Sequence, residues 1–334
     1  MYSESDIDSA VAAGALGADA AAALRSHVAR LRAAPAADEE QFRLVTGFND
    51  VFVSIAVALM LLSLWWLVGR WPGALAVAAA AWGLAEYFTR RRRMALPSIL
   101  LHLAFILAVS FAVFGALAPW WDDDKANGWR VGAAAAAAAA ASVAHWRRFQ
   151  VPITVAVMLG SALAAVVTFA LIAVPALRAY TGWMAFAAGG IAFAVAMAWD
   201  MSDPLRRTRR ADVAFWLHLL ASPLLVHSIF TLTGLTGGSG GIGHALAVLA
   251  GYVLLVGVAL VVDRRAMMVS ALAYVLIALS SLFREFGIVQ ASMGLTALLI
   301  SSALLLLSAA WAQVRARLVS RLPDAWQARL PPAI

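Results

Sequence analysis

The sequence predicts an all-α fold: a polytopic transmembrane helix bundle of about ten spans, with both termini cytoplasmic. Three observations predict it. The chain is 63% hydrophobic and only 13% charged, with a mean hydropathy of +0.85, about half the charge density of a soluble domain. Residues 51–69, VFVSIAVALMLLSLWWLVG, carry no charge and as a helix would cross roughly 30 Å of hydrocarbon. Similar runs recur without the alternation of a membrane barrel, and backbone groups in lipid must pair internally, so helices follow. The third observation is the alternation of basic residues. With a cytoplasmic N-terminus, twenty of the 25 Lys and Arg fall inside, and only Arg70, Lys125, Arg130, Arg178 and Arg284 fall outside. That is the positive-inside pattern, and it gives an even number of spans.

In chain order, residues 1–48 form a polar cytoplasmic segment. Asp6 and Asp8 can start a short helix, Gly14 and Gly17 interrupt it, and Asp19 can cap a second. Leu24, Val28 and Leu31 then give a modest apolar stripe. This helical hairpin is too small to bury a core of its own. A transmembrane domain of ten helices follows over 49–312. Its apolar runs are approximately 51–69, 73–88, 97–118, 129–145, 151–174, 182–199, 213–233, 244–262, 267–283 and 290–311. The second run is short. The fourth holds the poly-alanine stretch 133–141, which either packs closely against another helix or reflects a bias toward alanine. Residues 313–334 read as a basic cytoplasmic tail.

MYSESDIDSA lacks the basic start and apolar run of a secretory signal, so the first span is expected to direct insertion. The chain has no cysteine, which excludes disulfides, thiolate metal sites and a cysteine nucleophile. The net charge of +7 is explained by arginines facing an anionic inner leaflet, and no nucleic-acid partner is expected. Tryptophans 65, 66, 71, 120, 121, 129 and 183 fall near the external interface, and Trp146, Trp199, Trp311 and Trp326 near the internal one.

Two regions echo each other. RRRRMALPSILLHLAFILAVSFAVF (90–114) and RRTRRADVAFWLHLLASPLLVHSIF (206–230) both run from arginines through Leu-His-Leu to phenylalanine. His102 and His218 are 116 residues apart. The offset of four spans raises a parallel repeat of spans two to five in six to nine; chance similarity between Leu- and Ala-rich helices is the alternative.

Ionisable groups within spans are costly and therefore candidates for function. They are Glu86, His102, His218 and His227, with Asp50 and Asp200 at cytoplasmic span ends. His218 and His227 lie on opposite faces of one helix, so they do not share a metal ion, and no cofactor or metal is expected. Glu86 and Asp200 precede arginine-rich loops and read as solvated or loosely paired carboxylates. Asn49 or Asp50 can cap the first span. Arg284 and Glu285 end the ninth span, and Gly287 suits a helix C-terminus, so the pair reads as an interfacial turn rather than a buried site. Its apolar flank FGIVQ leaves room for a tucked connection in which Glu285 reaches Arg178 or Lys125. GGSGGIG at 237–243 satisfies a dinucleotide-binding spacing without a preceding strand, and reads as a turn. No catalytic constellation emerges, so an enzyme is not expected.

The opening IDSAVAAGALGADAAAALRSHVARL, with FRLVTGFNDVFV (42–53), FWLHLLASPLLVHSIF (215–230) and SALAYVLIALSSLFREFG (270–287), resembles uncharacterised bacterial polytopic membrane proteins. In these a short helical hairpin precedes a row of transmembrane helices. The resemblance implies a bacterial inner-membrane location, and carries no activity or site residue. Ten spans also match the size of drug/metabolite transporters, an analogy of architecture only. Two functions are open: a small-molecule secondary transporter or permease, and a non-catalytic scaffold or sensor whose hairpin binds a protein partner. An intramembrane enzyme lacks any convergent residue set.

Overall fold

Apolar runs that must satisfy their own backbone in lipid can do so as helices, and helices fill them. A computed structural model describes residues 4–33, 48–118, 124–204, 206, 208–234, 242–288, 291–327 and 329–331. Among these residues there are thirteen α-helices and no strand. The chain divides into two units, 1–41 with 334, and 42–333.

The small unit holds two helices, within the 1–48 segment expected to form a hairpin. Helices α1 (Glu4–Ala12) and α2 (Ala18–Ala33) are joined by a turn in which Gly14 adopts φ 71°. The Ala15 and Leu16 N–H groups both reach back to the carbonyl of Ala10, which closes α1 with glycine in the left-handed conformation it alone tolerates cheaply. Asp19 lies in the first turn of α2, and Leu24 is exposed. The side chains of Val28 and Leu31 lie outside the described residues.

The large unit holds α3 (Phe48–Val68), α4 (Arg70–Ala85), α5 (Ala95–Ala116), α6 (Asp124–Phe149), α7 (Ile153–Ala173), α8 (Thr181–Met201), α9 (Arg209–Leu232), α10 (Ile242–Val262), α11 (Ala266–Glu285), α12 (Ser292–Val319) and a short α13 (Asp324–Gln327). Helices α3 to α12 coincide with the ten apolar runs. Eight of them are long and apolar enough to cross a membrane; the exceptions are α4 and α6. Helix α4 ends after 16 residues and passes into a π turn, Glu86–Arg91. Helix α6 opens on charged residues and is largely alanine. Asp50 sits inside the first turn of α3, buried, rather than capping it from outside. Most of 237–243 lies outside the described residues.

The most extensive pairings are α8 with α9, α6 with α7, α4 with α5 and α10 with α11, so the bundle is a set of consecutive hairpins. Small residues permit the closeness. A Cβ on Gly189 of α8 would fall 2.9 Å from Leu225 Cγ on α9, and one on Gly115 of α5 would fall 2.7 Å from Trp71 Cβ on α4. Ala134 and Ala138 of the poly-alanine stretch are buried, in the helix that pairs closely with α7. Pro223 leaves α9 unbroken along its length. Helix α12 continues past residue 312 to Val319, and Arg315 on it is buried.

Helix α11 ends as its sequence suggests. Gly287 has φ 82°, its N–H meets the Arg284 carbonyl at 3.0 Å, and the Ile288 N–H meets the Phe283 carbonyl at 2.9 Å. This paired closure is the glycine-terminated helix end. Arg284 is exposed, with Nε 3.5 Å from Ser292 Oγ. The Glu285 side chain lies outside the described residues.

Candidate functional site

The buried face of α8 is a row at i, i+4 spacing: Ala188, Ala192, Ala196 and, one turn further, Asp200. A row on one helix face stays on that face, so the carboxylate points inward at the end of the helix. On α9 the buried face carries Ala211, Ala214, His218, Ala221 and Ser222. The two meet: His218 Nε2 lies 2.8 Å from Asp200 Oδ2, with both side chains at most 3% exposed. The sequence reading of Asp200 as a solvated interface carboxylate is therefore corrected. Its neighbours in the loop are not its partners; the small-residue row turns it into the bundle.

The third member comes from the link between α10 and α11. Asp263 takes φ 60° and the Arg264 N–H reaches back to the Ala259 carbonyl at 2.9 Å, so an aspartate fills the place that glycine usually takes after a helix. That turn swings Arg264 inward, 2% exposed. Its Nη2 donates to Asp200 Oδ1, its Nε lies 3.3 Å from Asp200 Oδ2, and Nη2 also reaches the Ala211 carbonyl at 3.1 Å. A two-point guanidinium–carboxylate contact of this kind fixes geometry as well as charge.

Asp263 gathers a second group. Its carboxylate accepts Arg206 Nη1 at 2.9 Å and the Trp311 indole N–H at 2.8 Å, and the Arg315 Nε lies 3.4 Å away. Arg315 Nη2 donates to the Pro331 carbonyl at 2.6 Å. Trp311 is 1% exposed, so the expectation of an interfacial anchor is corrected: its N–H is used inside the bundle, and Arg265 stacks on its ring at 5.0 Å. Asp203 accepts both the backbone N–H and the hydroxyl of Thr208, at 2.8 and 2.7 Å, and so shapes the start of α9. Two aspartates, Asp200 and Asp263, thus stand with three arginines, Arg206, Arg264 and Arg315.

The other predicted residues are placed separately. Glu86 opens the π turn and binds Arg148 through two contacts, 2.6 and 3.0 Å, and Arg90 at 3.4 Å. These groups are one-third or more exposed, as expected of an interfacial carboxylate. His227 is exposed and hydrogen-bonds the Tyr274 hydroxyl. His102 is fully buried, and its partner is a histidine that the sequence reading passed over. His145 on α6 lies with its ring centroid 4.4 Å from that of His102. Trp82, Phe105 and Phe149 surround the pair. His145 is the last residue of the apolar run 129–145, where Trp146-Arg147-Arg148 marks an interface, whereas α6 continues to Phe149. Three of the pair's four ring nitrogens make no hydrogen bond among the described residues, and Thr154 Oγ1 lies 3.4 Å from the fourth.

Chemically, the Asp200–His218–Arg264 group can hold a proton on the imidazole between a carboxylate and open acceptor positions: His218 Nδ1 makes no hydrogen bond among the described residues. It can also fasten helix ends together. No three His, Asp or Glu side chains among the described residues converge on a metal ion. No family model, curated protein or solved structure matches the chain.

Proposed function

We propose that this multi-pass membrane protein is a proton-linked secondary transporter of small molecules in the bacterial cytoplasmic membrane, with both termini inside. One observation carries the reading: a histidine buried within an apolar helix bundle is bonded to a carboxylate that an arginine also holds. Ionisable groups within membrane helices are expensive and mark proton or substrate paths. The Asp200–His218 contact provides a proton acceptor whose charge change Arg264 would feel directly. The alternating arginines support the orientation, and the resemblance to uncharacterised bacterial proteins supports the membrane.

The test uses purified full-length protein in liposomes loaded with a pH-reporting dye. With mixed amino acids and sugars outside, an imposed pH gradient should collapse faster than in empty liposomes, and H218N should slow that collapse at least tenfold in protein whose circular dichroism shows the helices intact. A gradient that decays as in empty liposomes with every solute class would sink the reading.

A second reading, a non-transporting scaffold, is favoured by the placement of Asp263. It fastens the α8–α9 link, the α10–α11 link and α12 at one end, which suits a rigid membrane anchor. Crosslinking should then recover one protein partner that is lost when residues 1–40 are deleted. Pairing that survives the deletion would remove this version.

A further inference from the structure

We infer that α4–α7 and α8–α11 are two copies of one four-helix unit, and that the Glu86–Arg148 bond is a solvent-reachable counterpart of the buried Asp200–Arg264 bond, closing the first unit over His102 and His145. The inference holds whether or not the protein transports protons.

The backbone carries the correspondence. The left-handed region is disfavoured for any residue with a Cβ. Among the described residues only five non-glycine residues enter it: Arg70, Arg93, Gln150, Arg206 and Asp263. Arg93 and Arg206 are 113 residues apart, and so are Gln150 and Asp263, with φ of 53° and 50°, and 52° and 60°. The first pair lies in the links between the first and second helices of each unit, the other in the links between the third and fourth. The third helices end at Phe149 and Val262, and the fourth begin at Ile153 and Ala266, at the same spacing. Leu- and Ala-rich composition can mimic a sequence echo, but it does not place rare backbone states at one repeated interval.

Side chains follow the same plan one to three residues off that interval: Glu86 and Asp200 are 114 apart, and Arg148 and Arg264, like His102 and His218, are 116 apart. In each unit the carboxylate at the end of the first helix binds an arginine at the end of the third or in the link after it: Glu86 to Arg148, Asp200 to Arg264. In each unit the second helix carries a fully buried histidine, His102 or His218. The copies have diverged in packing. Helix α5 lies against α6, whereas α9 lies against α11. His102 accordingly meets a residue of the third helix, and His218 one of the first. On the α4–α6 contact of the first unit, Trp82 stands one turn before Glu86 and His145 one turn before Arg148–Phe149, and Trp82 touches both His145 and Phe149. The ion pair therefore caps the histidine pair at the exposed end of that contact.

The chain's lack of cysteine makes crosslinking clean. In full-length protein in native membranes, a short bifunctional thiol reagent should join E86C to R148C and D200C to R264C. The crossed combinations E86C with R264C and D200C with R148C should link at least tenfold less. Equal linking of crossed and matched pairs, or linking of the first matched pair alone, would overturn the correspondence. Because D200C/R264C removes a buried ion pair and can fail to accumulate, a second measurement stands beside it. Carbethoxylation of His145 by diethyl pyrocarbonate, read by peptide mass spectrometry, should rise severalfold in E86Q and in R148Q while His218 stays unmodified. Unchanged His145 labelling in both variants would refute the closure.

Discussion

Asp200 Oδ2 lies 2.8 Å from His218 Nε2, and both side chains are sealed inside the bundle. Because Arg264 holds the same carboxylate, the three residues form one electrostatic unit whose members cannot be removed independently. A buried pair left half-broken exposes an uncompensated charge to low dielectric, at about 3–5 kcal/mol, whereas removing both charges costs much less. D200N alone and R264M alone should therefore each lower the thermal midpoint in detergent sharply. The double variant D200N/R264M should melt above both. Additive losses would show that the two residues act apart.

A second prediction concerns the α8–α9 contact that positions the site. A Cβ on Gly189 would come within 3.0 Å of the Leu225 backbone nitrogen as well as 2.9 Å from its side chain, and backbone cannot rotate away. Overpacking of this kind costs typically about 1–3 kcal/mol. G189A should lower the melting midpoint and, by parting the helices, lower flux as well. G190A, on open space, is the matched control and should do neither.

These two cases show what the sequence discloses and what it withholds. The ten apolar runs and the Gly287 helix end were legible because composition and a single glycine decide them locally. Asp200 and His145 were not, because each sits beside arginines that make it look interfacial. What decides Asp200 is the Ala188–Ala192–Ala196 row leading to it, a signal present in the sequence and readable at i, i+4 spacing. What decides His145 is where α6 ends, four residues later than hydropathy suggested. The partners Arg264 and Trp311 depend on a left-handed aspartate after α10, a weaker helix-end signal than glycine.

Trp311 supplies a third prediction. Its indole N–H is one of the donors that neutralise Asp263. W311F keeps an aromatic ring beneath Arg265, though a smaller one, and removes that donor; a lost hydrogen bond to a charged group is worth about 1.5–3 kcal/mol. W311F should melt lower than wild type, and it should cost less in a D263N background than in the wild-type one, because the acceptor's charge is already gone. A variant pair that simply adds would place Trp311 outside the cluster's energetics.

The His102–His145 pair yields a prediction of opposite sign. Both rings are fully buried among Trp82, Phe105 and Phe149, and three ring nitrogens make no hydrogen bond among the described residues. A buried donor or acceptor without a partner costs about 1–3 kcal/mol, and replacing it by an apolar group of similar shape can be neutral or stabilising. Phenylalanine keeps a flat ring in an aromatic surround. H145F should therefore raise the melting midpoint, and H102F/H145F should raise it further. Where activity needs a destabilised site, a stabilising substitution there costs function. The same variants should then lose gradient collapse in the liposome assay. A drop in melting midpoint would instead mean that the two imidazoles are held by hydrogen bonds that stabilise the fold.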